Sequence, residues 1–246
     1  MTNPEHHPLI SEQHVLLHEL SHRINNEFAA AIGAVSAAAA RSGNQEVKAA
    51  LNGVSELLSR YADVHRVLQM PEHGTRVDAA AYLRQVCLSI SRSELDERQI
   101  RLVLSAQSLW LQAERSWRLG MILYELISNA ARHAFAGGTG EIRVAVWRDG
   151  ELVKCGVQDN GSAAKSIRPG HGLKIVEGLS HALGGHFKQS FGPHGSKSLL
   201  VFPHDGEPAV LTKGKPSVNV EIPARATEAF GAGRDLDNVL PLRKRH

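Results

Sequence analysis

Between His14 and Leu68 lie two amphipathic helical runs separated by little more than Ser42-Gly43-Asn44. No other feature restricts the possible folds as much. In the first run Leu16, Leu20, Ile24, Phe28, Ala31, Ile32 and Val35 recur at three- and four-residue steps, and "AVSAAAA" is rich in strong helix formers. In the second, Val47, Leu51, Val54, Leu57, Leu58, Tyr61, Val64 and Leu68 share a face that ends before "MPEHG". Two antiparallel helices cannot cover both of their apolar faces with each other. Two such hairpins can, so the sequence predicts a homodimer built on a four-helix bundle.

Within the first run, "HELSH" (His18–His22) supports two chemistries. As H-E-x-x-H it offers two histidines one helical turn apart and a glutamate as general base, the pattern of zinc peptidases. As "HRINN" it offers His22 alone as a nucleophile. Helical geometry turns His22 away from the apolar stripe centred near Phe28 and Leu20, and His18 falls close enough to His22 to keep zinc geometrically open. The rest of the chain opposes zinc. The extended H-x-x-G-x-x-H continuation fails at Asn25, only Glu46 suggests itself as a third ligand, and the peptidase reading leaves everything after residue 74 without a role.

After Gly74 helices interleave with hairpin-linked strands. "VDAAAYLRQVCLSISRSEL" reads as a helix capped by Asp78, and "QIRLVLSAQSLWLQ" as two short strands. Arg115–Phe135 reads as a helix, and Gly140–Gly161 as two strands joined at "RDGE". A glycine-containing loop, a helix over Gly172–Leu183 and strands at His186–Phe191 and Ser196–Phe202 complete the unit. The expected division is a flexible start (1–13), a helical hairpin (14–74), an α+β domain (75–203) and a largely disordered tail (204–246).

Three stretches carry chemistry. On "LGMILYELISNAARHAF", Glu125, Asn129 and Arg132 lie along one flank of the apolar stripe. An amide oxygen suits Mg²⁺ and a guanidinium suits phosphate, although a solvated helix edge would show the same letters. In "VQDNG", Asp159 ends an apolar strand, where a buried carboxylate can accept from the exocyclic amine of adenine; a plain Asn-Gly turn is the simpler reading of those letters. In "GHGLKIV", Gly170 and Gly172 open a helix whose free N–H groups favour anions, but G-x-G alone is weak.

Their order is more specific than any of them. "ELISNAARHAF", a hairpin, "DNG", a loop, "GHGL", a helix and "GPHGSKSLLVFP" resemble the ATP-binding domain of the GHKL superfamily, the Bergerat α/β sandwich. With "HELSHRINNEF" ahead of it, the chain resembles two-component sensor histidine kinases with an H-R-x-x-N phosphoacceptor box, near the HWE group. The resemblance covers about His14–Pro203 and implies autophosphorylation of His22 from Mg-ATP, followed by transfer to an aspartate of a response-regulator receiver. It further implies Asn129 as the Mg²⁺ ligand and Asp159 as the adenine reader. Gly161, Gly170, Gly172 and Leu173 would line the nucleotide loop, and Glu125, Arg132 and His133 would belong to the N-box. Glu19 and Glu125 both remain candidates for orienting the imidazole. The chain departs from the pattern at Asn25, where lysine is usual, at Ala163, where the second box glycine is usual, and in its short 161–170 lid. Those departures keep a second class in view, a phosphotransfer scaffold with a degenerate ATP domain; a serine-directed GHKL kinase would not need the hairpin.

Bulk properties agree. A net charge of +3 with no basic stripe before the terminal "LRKRH" gives no case for nucleic acid. No apolar run approaches the ~18 residues of a membrane span, and no secretory signal is visible. Two cysteines, Cys87 and Cys155, offer neither metal spacing nor a disulfide framework. A cytoplasmic location is expected.

Overall fold

A computed structural model describes residues 7–69, 75–162, 171–205 and 240–241, with the backbone alone for 7–18 and 240–241. The chain divides into two compact units, Met1–Glu72 and His73–His246.

The first unit is a helical hairpin, α1 (His7–Arg41) and α2 (Gln45–Val67). Helix α1 begins seven residues earlier than the apolar pattern indicates. Asn44 starts α2 by accepting from the amides of Glu46 (2.9 Å) and Val47 (3.4 Å) with its side chain. Phe28, Ile32, Val35 and Ala39 of α1 and Leu51, Leu58 and Ala62 of α2 form the inward seam. Ser36 and Ser55 meet through their hydroxyls at 3.0 Å. The broad apolar stripe of α1 splits between two directions. Phe28, Ile32 and Val35 go into the seam, whereas Leu20 and Ile24 stay exposed, as do Val47, Val54 and Tyr61 at seven-residue steps on α2.

In the second unit β1 (Arg76–Asp78) leads into α3 (Ala79–Ile90), whose N-cap is the Asp78 carboxylate. One π-turn (Ser91–Leu95) and one 3₁₀ turn (Asp96–Arg98) end at Gln99 in the left-handed region, φ 54°. There follow β2 (Ile100–Ala106), β3 (Trp110–Gln112), α4 (Ala113–His133), β4 (Gly140–Asp149), β5 (Leu152–Asp159), α5 (His171–Ala182), β6 (His186–Gly192) and β7 (Gly195–Pro203). The main sheet runs β6-β7-β5-β4-β2, and β2 pairs parallel to β4 while its other neighbours are antiparallel. Sequence patterning missed β1, which pairs with β3 over three residues, too short to show alternation. A two-residue strand β8 (Leu240–Pro241), within the stretch expected to be largely disordered, adds to the β2 edge; 206–239 lie outside the described residues.

Alternation places Leu102, Leu104, Ile142, Val144, Val153, Cys155, Leu200 and Phe202 on the helix-covered face, all buried. Against them pack Leu83 and Ile90 of α3, Leu119, Ile122, Leu123, Leu126 and Ile127 of α4, and Val176 of α5. Truncating one such leucine or isoleucine to alanine costs about 2–5 kcal/mol. The fold is α+β: a helical hairpin followed by a sheet layered with helices on one face. Buried Arg115 ties the start of α4 to the ends of two other elements, donating to the carbonyls of Leu183 (3.3 Å) and Pro203, with its guanidinium 5.4 Å from the Phe202 ring centroid.

Candidate functional site

The candidate residues fall into two groups, one in each unit. On the hairpin, His22 is exposed on α1. Glu19, one of the two acids expected to orient its imidazole, is engaged by Arg23 one turn on, with Nη2 2.6 Å and Nε 3.2 Å from Oε1. That pair is exposed and adds little stability. Across the seam Asn25 Oδ1 meets His65 Nδ1 at 3.2 Å, and the His65 ring lies against Phe28, centroids 6.1 Å apart. Burial lowers the His65 pKa below its usual 6.5.

The zinc reading fails on helix length. Helix α1 is continuous to Arg41, so at 1.5 Å per residue Glu46, beyond the turn, lies roughly 30 Å along the axis from His22.

In the second unit α4, β5, α5 and β7 bring together side chains far apart in sequence. The apolar stripe of α4 packs on the sheet and leaves Glu125 and Asn129 half-buried along its edge, with Arg132 and His133 exposed. Arg132 donates through Nε to Ser128 O at 3.2 Å. Helix α5 starts against this edge. A Cβ placed on Gly172 would sit 2.5 Å from Glu125 Oε2 and 3.2 Å from Asn129 Nδ2, so the bare glycine lets the first turn of α5 meet both side chains. Leu173 follows, half-buried; Gly170 and Ala163 lie outside the described residues.

Asp159 is buried at the end of β5, 2% exposed. Its Oδ1 accepts from Gly161 N (3.0 Å), and its Oδ2 from Ser196 N (3.2 Å) and Ser196 Oγ (2.5 Å). Three donors compensate a buried carboxylate and fix its plane. Gly161 in turn has no room for a side chain, because a Cβ would run into the Ala134 carbonyl at the end of α4, to which Ser162 N donates at 2.9 Å. The "DNG" segment is thereby docked onto the C-terminal end of α4. Gly195 and Ser196 were not singled out in the sequence. Gly195, at φ +110°, allows β7 to start directly on Asp159, and the only signal for it was its place in "GPHGSKS".

Asn129 turns its Nδ2 toward Gly172, and Arg132 adds a cationic group on the same helix. The residues present suit a magnesium–polyphosphate ligand at one end and a hydrogen-bonding base at the other.

Comparison with known proteins agrees with this division. Residues 91–197 match the model of the histidine kinase-like ATPase domain, and residues 19–94 match a histidine kinase family model. No curated protein matches. Among solved structures, the histidine kinase domain of the Erythrobacter litoralis EL346 blue-light activated histidine kinase aligns at a TM-score of 0.54 with 19% identity, covering 73% of this chain and 96% of that one. Full-length ShkA in complex with AMPPNP aligns at 0.50 with 22% identity, covering 77% of this chain and 46% of that one. At these identities the structural likeness concerns the fold.

Proposed function

We propose, for a chain that is a protein-histidine kinase, that His22 takes the γ-phosphoryl group of ATP bound in the cleft of α4, β5 and α5 and passes it to an aspartate of a response-regulator receiver. Two contacts on α4 support the reading: Gly172 against Glu125 and Asn129, and the Asp159–Gly161 segment against Ala134. A scaffold with a decayed cleft would have no reason to keep a glycine against two polar side chains and a buried carboxylate held by three donors. AMPPNP, an ATP analogue, bound to ShkA is consistent with nucleotide in such a cleft.

Each residue then has a task. Asp159 accepts from the adenine amine, and a purine presenting an acceptor there sets a carbonyl oxygen against the carboxylate. Arg132 and the N-terminal amides of α5 pair with phosphate oxygens. Asn129 would hold Mg²⁺, which would supply charge neutralisation on the polyphosphate. The His22 Nε2 lone pair forms a bond to the γ-phosphorus as the bond to the β,γ-bridging oxygen breaks and ADP leaves. The Nδ1 proton passes to a carboxylate, Glu19 or Glu125, and separate substitutions distinguish the two. The hairpin works as a homodimer in the cytoplasm, its exposed Leu20, Ile24, Val47, Val54 and Tyr61 forming the second seam of the bundle.

Incubation with γ-labelled ATP and Mg²⁺ should give acid-labile, base-stable label that His22→Ala abolishes. Label of the same chemistry surviving in His22→Ala overturns the assignment.

A further inference from the structure

We propose that Asn25 and His65 form a cross-helix pair that positions the phosphoryl group at His22, with Asn25 as the contact and His65 acting through it. The inference rests on His22 being the phosphoacceptor.

The pair is out of place as packing. Around it the seam is apolar, with Phe28, Ile32 and Val35 facing Leu58 and Ala62, yet one level above Phe28 a half-buried amide meets a half-buried imidazole. Half-burying two polar groups where two apolar ones would fit yields less stability. Fixing the hairpin register is one use for a polar contact, but the Ser36–Ser55 pair already provides one farther along the seam, away from His22.

What distinguishes Asn25 is its neighbour. It stands three residues after His22, so their Cβ atoms lie about 5–6 Å apart on adjoining faces of α1. His65 sets the amide. Burial favours the neutral imidazole, and because Asn25 Oδ1 can only accept, the tautomer with its proton on Nδ1 is the one that donates across the 3.2 Å contact. With Oδ1 committed to α2, Nδ2 and its two N–H groups point away from His65. The Phe28 ring beside His65 limits its rotation. Two directed donors next to an imidazole suit one chemistry: the anionic oxygens of a phosphoryl group arriving on, or bonded to, His22.

Substitution separates this role from a structural one. Asn25→Asp keeps an acceptor for His65, and so keeps the seam, but removes both donors and places negative charge beside the phosphoryl oxygens. We expect the full-length variant to retain helicity and thermal midpoint, to keep the KM for ATP, and to label about tenfold more slowly at saturating ATP, the effect of losing one charge-assisted hydrogen bond. His65→Ala should slow labelling by a similar factor. His65→Gln, which can still donate to Oδ1, should recover most of the rate, and Asn25→Ala combined with His65→Ala should be no slower than Asn25→Ala alone. Wild-type labelling in Asn25→Asp overturns the proposal, as does equal labelling by the Ala and Gln variants at position 65, or a double variant as slow as the product of the singles. His22→Ala runs alongside. If it still labels, the phosphoacceptor assignment has failed; if it does not label while the Asn25 and His65 variants behave as wild type, only the positioning pair has failed.

Discussion

A methyl group at Gly172 would sit 2.5 Å from Glu125 Oε2 and 3.2 Å from Asn129 Nδ2, inside ordinary contact distance for both. Gly172→Ala therefore has to push Glu125 and Asn129 off their positions or move the start of α5 outward. Neither change disturbs the apolar packing of Val176, so the fold should persist while the phosphate end of the cleft is displaced. Mg-ATP affinity, measured by calorimetry, is expected to fall about tenfold or more, about 1.4 kcal/mol, with a thermal midpoint close to wild type. The base end responds differently. In Asp159→Asn one oxygen becomes an NH₂ group facing the donors Gly161 N, Ser196 N or Ser196 Oγ. A buried donor set against a donor costs about 1–3 kcal/mol, so this variant should lose both thermal stability and nucleotide affinity. A variant that binds Mg-ATP as tightly as wild type removes Asp159 from the base-reading role.

At the scale of elements, the α2 stripe of Val47, Val54 and Tyr61 repeats every seven residues and is 42–46% exposed on an isolated chain. A heptad repeat is the period of a helix packed along a neighbour, and the hairpin's own seam takes Leu51 and Leu58 on the adjoining flank. Val54→Asp should leave the helices formed but convert the protein from dimer to monomer in sedimentation equilibrium, with label lost if transfer crosses the dimer. This stripe was legible in the sequence because helical periodicity is a local signal. For the same reason α3, α4, α5 and the β4–β5 hairpin were legible, and the Asp-Gly turn gave the register. What was not legible shares one cause. The three-residue β1, the grip of Ser196 on Asp159 and the Asn25–His65 contact are fixed by residues 30 or more positions away or by ladders too short to alternate. Glu125, Asn129 and Asp159 could be nominated from their letters. That Gly172 brings the first two together, while Gly195 seals the third, follows only from the packing of α5 and β7 on α4 and β5.

For the molecule as a whole, two units with separate cores should respond to separate ligands. Both cysteines belong to the second unit. Cys87 on α3 is fully buried, with its thiol pushed up to about 12, and Cys155 on β5 is 2% exposed, with its thiol raised as well, first by burial and then by proximity to Cys87. At pH 8 neither is a thiolate nor accessible, so alkylation has to wait for this unit to open. In the limit where closing outpaces reaction, the rate reports the open population. If Mg-ATP binds only the closed form, as the proposed function requires, at 100 times Kd it should slow alkylation about 100-fold, equivalent to about 2.7 kcal/mol. The hairpin, if its stability comes from pairing two chains, should instead gain stability with protein concentration, and the thiols should not register that gain. Alkylation that is immediate in native buffer contradicts the buried placement of the two thiols. A rate that Mg-ATP leaves unchanged, while direct titration shows binding, means that these cysteines open through a local motion that does not disturb the cleft. Alkylation that slows with protein concentration to the same degree as with nucleotide means that the two units unfold as one.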